Sequence, residues 1–179
     1  MKTRLNTPKS AGMTLIEMLA VIVIIAVLMG MLFPVVSAVR TSARLAQANT
    51  QVNQLAAAFK FFENEYGYWP TNTDDSFPVD ANIIGVLSGT DETQNPRKIR
   101  FFDFPANQVT SEGFVDPFKG GKPYRVVLDQ TYSGVITNIP TPYNIGIPLP
   151  PEGLTNSIAV YMQTNNAMTN LSRIARSWK

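Results

Sequence analysis

The sequence predicts an α+β fold, a long N-terminal helix packed on a small antiparallel β-sheet, and three observations predict it. Met18 to Val39 is an uncharged apolar run of helical membrane length. An apolar stripe at three- and four-residue steps follows it, as an amphipathic helix requires. Beyond residue 70 the chain turns rich in proline and in short β-prone runs, with ten of the 13 prolines in that part. At 179 residues there is room for one domain plus an appendage. The organisation read from these shifts is 1–12, a basic leader segment; 13–39, a transmembrane helix; 40–69, its amphipathic continuation; and 70–179, a small β-rich globular domain.

Composition removes whole classes of function. Fifteen basic side chains against 13 acidic give a formal charge of +2, too little to attract a polyanion, so no nucleic acid partner is expected. The absence of Cys and His excludes disulfides, thiolate chemistry, Cys/His zinc sites and imidazole-activated nucleophiles.

The first element is the apolar run. As a helix its 22 residues span roughly 33 Å, enough to cross a bilayer, and the rest of the chain is too small to bury a helix that is apolar all round. Met1 to Gly12 carries Lys2, Arg4 and Lys9 and no acid, which holds that side in the cytoplasm and sends the bulk of the chain across. A cleaved secretory signal is the competing reading, with Val36-Ser37-Ala38 as its cleavage site, but the run exceeds the usual apolar core of such a signal. Glu17, a carboxylate at the start of the run, also argues against it. Its plain reading is an interfacial acid favoured by the positive end of the helix dipole; its sharper reading needs a cation at the same depth. Gly30 and Pro34 predict a kink or local unwinding, because proline removes a backbone donor and crowds the preceding turn.

The helix then continues, with Val52, Leu55, Ala56, Phe59 and Phe62 forming the stripe and Gln47, Asn49, Gln51, Asn53, Gln54, Lys60 and Glu63 supplying polar surface. It should end at Tyr66-Gly67, before Trp69-Pro70, after a rod of about 80 Å from Thr14. The aromatics at its end are read as closing the helix on a core, with a carbohydrate platform as the alternative. Ile99–Phe104, Tyr124–Asp129, Val135–Ile139 and Ser157–Met162 are the expected strands, joined by turns such as Gln130–Gly134. Ile139–Pro151, with five prolines, reads as a loop. The acidic pairs Asp74-Asp75 and Asp91-Glu92 read as solvated loop charge rather than catalytic dyads. Leu171, Ile174 and Trp178, opposite Arg173, Arg176 and Lys179, suggest a terminal helical turn docked on the domain.

Gly12-Met13-Thr14-Leu15-Ile16-Glu17, after a short basic leader and before a long apolar run, resembles the N-terminal signal of type IV pilins and of the pseudopilins of type II secretion systems. The resemblance implies a pilin-like fold, cleavage by prepilin peptidase after Gly12, N-methylation of Met13, and a buried Glu17 needed for assembly. Cleavage would put an ammonium at Met13, and staggered helices would let Glu17 of one subunit meet the Met13 amine of the next. In the family, a proline at the place of Pro34 borders a segment that loosens in the filament. Glu65–Thr71, Asp116-Pro117-Phe118 with Gly120–Tyr124, and Ile174-Ala175-Arg176-Ser177-Trp178 are similar to segments of the major, G-type pseudopilin. That family often binds calcium in a loop after a strand like Ser157–Met162; here the loop reads Gln163-Thr164-Asn165-Asn166 and lacks the carboxylates that calcium affinity needs, so no tight calcium site and no cofactor are expected.

The resemblance implies an inner-membrane protein with a cytoplasmic N-terminus and a periplasmic domain, later drawn into a filament. Its implied partners are prepilin peptidase, other copies and minor pseudopilins, an inner-membrane platform protein, a cytoplasmic ATPase and the lipid bilayer. No catalytic activity is expected. The alternatives are a type IV pilin of a surface pilus and, in another class, a membrane-anchored or exported carboxylate-dependent enzyme.

Overall fold

The computed structural model describes residues 12–70, 76–136, 153–155, 157–163 and 175–177. The chain divides into two compact units, Met1–Thr41 and Ser42–Lys179. Helix α1, Leu15–Tyr66, begins in the first unit and continues into the second. It ends where Gly67 adopts φ +76°, a left-handed conformation that glycine enters without a Cβ clash, and the Gly67 N–H donates to Glu63 O at 2.7 Å.

The second unit is built around the far part of α1. Ala48, Val52, Leu55, Ala58, Phe59 and Phe62 are buried on one face, and Ala56 packs half-buried beside them. Against this stripe lies a three-stranded antiparallel sheet in the order β1-β4-β5, with β1 Ser76–Pro78, β4 Arg125–Leu128 and β5 Ile158–Tyr161. Its register pairs Phe77 with Val126 and Val126 with Val160. Phe77, Val126, Leu128, Ile158 and Val160 join the helix stripe in one core. The α+β prediction holds.

Several local expectations are corrected. Gln51 is not polar surface: it is 6% exposed, accepts from the Tyr124 hydroxyl at 2.7 Å and donates to Gln108 Oε1 at 2.7 Å. Gln108 in turn donates to Val115 O at 2.9 Å, so a buried amide pair joins α1 to the segment between β1 and β4. Ile99–Phe104 is not a strand, because the amides of Phe101 and Phe102 both turn to Leu87 O, at 2.8 and 3.1 Å. The preference for β in that run reflects aromatic burial rather than a ladder: Phe101, Phe102 and Phe104 all reach the core from irregular backbone.

Helix α2, Ala81–Ser88, is an element that the sequence analysis does not anticipate. Asp80 caps it, its Oδ1 accepting from Asn82 N and Ile83 N at 3.0 Å each, and Ile83, Val86 and Leu87 bury its inner face. Two short strands, β2 Val109–Thr110 and β3 Gly113–Phe114, form a hairpin. Gly113, at φ +123°, lets that hairpin lie against α2's approach, since a Cβ there would sit 2.2 Å from Val79 O.

Tyr124–Asp129 and Ser157–Met162 do become strands β4 and β5 within one residue of each bound. Of Val135–Ile139, Ile136 forms a single bridge with Leu154, and residues 137–139 lie outside the described residues. So do Ile139–Pro151, Asp74-Asp75, Thr164–Asn166 and the tail residues Leu171, Arg173, Ile174, Trp178 and Lys179. Ala175–Ser177 are not a helical turn. Arg176 bridges Tyr161, and Met162 N donates to Ala175 O at 3.0 Å, so this stretch pairs along β5.

Candidate functional site

The first unit carries the residues that the sequence analysis singles out, and they sit on the opening turns of α1. Thr14 and Glu17 satisfy each other across the helix start. Glu17 Oε2 accepts from Thr14 N at 2.7 Å and from Thr14 Oγ1 at 2.9 Å, while Glu17 N donates to Thr14 Oγ1 at 3.3 Å. This is a capping box, in which a threonine and a glutamate three residues on exchange hydrogen bonds between side chains and backbone. It gives the carboxylate two donors in a segment that offers no cation between Met13 and Val39. Thr14 thus adds a capping role to its place in the Gly12–Glu17 segment, a role that the Thr-x-x-Glu spacing already signals.

Behind the cap the helix is apolar and uncovered. Every large apolar side chain from Met18 to Val39 is exposed in the single chain, from Val36 at 37% to Phe33 at 75%. This helix is long and apolar enough to cross a membrane. A Cβ added at Gly30 would meet nothing within 4 Å, so the glycine answers to no contact among the described residues. Pro34 sits within an unbroken α-helix, without the local unwinding that the sequence suggests. Ser37 Oγ donates to Pro34 O at 2.8 Å, and Thr41 Oγ1 to Ser37 O at 3.0 Å, so hydroxyls add to the backbone bonding of the turns after the proline.

The other candidates are placed as follows. Asp91 Oδ1 accepts from Thr93 N and Gln94 N, whereas Glu92 pairs with Lys98 at 2.6 Å, so these neighbouring carboxylates serve different partners. Among the described residues no three His, Cys, Asp or Glu side chains gather as a metal site would need. The aromatics at the end of α1 pack on one another: Phe62, Tyr66, Tyr68 and Phe101 lie 4.7 to 6.2 Å apart by ring centroids. The Tyr66 hydroxyl donates to the buried Asn95 at 2.5 Å. That is helix closure on a core.

Asp116 organises the turn before β4. Its Oδ1 accepts from Phe118 N at 2.9 Å and its Oδ2 from Lys122 N at 3.0 Å. Burial nevertheless raises its pKa, because the two backbone bonds only partly offset the loss of water. Asp129, after β4, behaves oppositely: burial pushes its pKa up, but bonds from Thr131, Gly134 and Ser133 outweigh it and hold the carboxyl below its ordinary value.

A self-capped carboxylate at the start of an uncharged, uncovered helix, leading into a folded α+β domain, defines a class of helix-led chains able to anchor in a bilayer. Within that class, residues 7–33 match the family described as the prokaryotic N-terminal methylation motif. The motif indicates a type IV pilin-like precursor, processed by prepilin peptidase, and implies assembly into a filament. No curated protein and no solved structure matches the chain.

Proposed function

We propose that the chain is a structural subunit of a type IV pilus-like filament, and within that class a pseudopilin of a type II secretion system. The observation that carries the reading is Glu17: one carboxylate at the head of an uncharged, uncovered span, inside the methylation motif. Prepilin peptidase cuts after Gly12 and Met13 is N-methylated, which keeps the new amine cationic. Glu17 then exchanges its intrachain cap, or shares it, with the Met13 amine of a neighbouring copy. Opposite charges pair in oil only when helices align at one stagger, so the pair sets the filament register. The work is mechanical and no catalysis is assigned.

Pairing along the span also uses the exposed faces between Met18 and Val39, including the uncovered Gly30, where another backbone can approach closely. Pro34 is the place where the helix would loosen on assembly. Removal of Lys2, Arg4 and Lys9 leaves 12 basic against 13 acidic side chains, so stacked copies repel little. The similarities at Glu65–Thr71, Asp116–Tyr124 and Ile174–Trp178 support the secretion pseudopilin, as does the lack of the cysteine pair common in surface pilins. The subunit would sit in the inner membrane with its N-terminus cytoplasmic, its domain periplasmic, and a platform protein and ATPase driving assembly.

Mass spectrometry of native material tests the reading. A methylated chain beginning at Met13 is expected; a start at Val39 would mark an ordinary exported protein instead. Glu17→Ala should leave insertion and cleavage largely intact and reduce filament yield at least tenfold, and normal filaments from it would refute the pairing. A secretin and an assembly ATPase encoded nearby would separate the secretion pseudopilin from a surface pilin.

A further inference from the structure

A cavity of about 420 Å³ opens in the second unit between α1 and the loop that Asp116 organises. Arg44, Gln47, Asn107 and Thr110 line it, with the turn from Pro117 to Gly121 as its other wall. Arg44 and Asn107 have no ion pair or hydrogen bond among the described residues, so their donors are open to a ligand. The carboxylate of Asp116 also lies at the wall, but it is 3% exposed and both oxygens are occupied by backbone N–H groups. Lys119 and Lys122 stand exposed on the same loop, without an acidic partner among the described residues. The cavity therefore favours an anion with oxygen acceptors.

Its place along the chain selects the source of that anion. Arg44 follows Val39, the last residue of the uncharged span, by five residues, about 7.5 Å of helix. The headgroup layer on each side of a bilayer's hydrocarbon core is about 5 to 7 Å thick. On the membrane-anchored reading, Arg44 emerges at phosphate depth, where arginine side chains reach for lipid headgroups.

We propose that this cavity is a phospholipid headgroup site. The phosphodiester of one bilayer lipid sits between Arg44 and Asn107, and Lys119 and Lys122 engage the phosphates beside it. The assignment rests on the membrane-anchored reading given above, and it adds a release step: extraction of a subunit into a filament must give up this lipid.

The test uses the full chain in nanodiscs of phosphatidylcholine with and without phosphatidylglycerol, with bound lipid counted by native mass spectrometry. Wild type is expected to keep phosphatidylglycerol, and Arg44→Gln to keep about five-fold less, the effect of one basic residue at an anionic surface. Asn107→Asp, which sets a negative charge in the cavity at constant size, should lose it too. Arg40→Gln, one turn nearer the span and not part of the cavity lining, should lose less. Equal retention by wild type and Arg44→Gln, or equal losses from Arg40→Gln and Arg44→Gln, would overturn the site. Displacement by soluble glycerophosphate as readily as by lipid would overturn the lipid as occupant. If alkaline carbonate strips the wild-type chain from vesicles, the anchored reading itself falls; if the chain stays and only the variants fail to differ, the cavity assignment alone falls.

Discussion

Phe33 and Phe59 stand on the same helix, yet Phe33 is 75% exposed and Phe59 is wholly buried. The stretch from Met18 to Val39 is the more apolar of the two, and its large side chains are all exposed. The stretch from Ala48 to Phe62 alternates polar and apolar residues, and its stripe is closed by the sheet and by Phe77, Ile83 and Phe114. Apolarity therefore separates two tasks here. An all-round apolar surface asks for a solvent other than water or for neighbouring helices, and a one-sided stripe asks for a domain.

The sharpest way to break that contrast is to truncate the two phenylalanines. Phe59→Ala should destabilise the folded unit by about 3 to 5 kcal/mol in thermal unfolding, through lost burial and the cavity left behind. Phe33→Ala should leave that transition where it is; a matching loss would mean that the first unit contributes to the domain core. A smaller effect is expected at the buried amide pair. Gln51→Ala orphans the Tyr124 hydroxyl and the Gln108 Nε2 that donates to Gln51 Oε1 at 3.3 Å, at a cost of about 1 to 3 kcal/mol. In a double-mutant cycle with Tyr124→Phe the two losses should not add, and additivity would show that the hydrogen bond carries nothing.

The smallest effect concerns pH. The folded state holds the Asp129 carboxyl below its ordinary value, so its contribution is present above the ordinary carboxylate range and lost as pH falls through the lowered one. Asp129→Asn should cost about 1 kcal/mol at neutral pH and nothing in strong acid, read as a closing gap between the two unfolding curves. A gap that widens on acidification would reverse the assignment. Asp116, raised by burial, has the opposite sign and favours the fold as it protonates.

Much of this was legible. The uncharged run, the stripe and the Gly67 stop place α1 within a residue of its observed ends, because each is a local signal with a physical cause. Glu17 and its neighbours read as a processing and assembly segment, and the methylation motif matched at residues 7–33 spans them. What escaped depends on the partner rather than on the residue. Gln51 looks like surface until Gln108 and Tyr124, far along the chain, supply its hydrogen bonds. Ile99–Phe104 has a strand's composition, but its amides find the end of α2 before they find a neighbour. Helix α2 did carry its signals, an aspartate cap, apolar residues at three and four steps and a closing glycine, compressed into eight residues where β-rich runs surround it.

The pairing of Ala175–Ser177 along β5 bears on how the domain avoids unwanted partners. Those residues are among the last described, and Val160 N donates to Ser177 Oγ at 2.9 Å on that side of the sheet. Until they pair, β5 has one border bare, and a bare border invites strands from other molecules. Sealing it falls to residues far along the sequence from β1 and β4, so the domain gains its protection from mispairing only once those distant segments have come together.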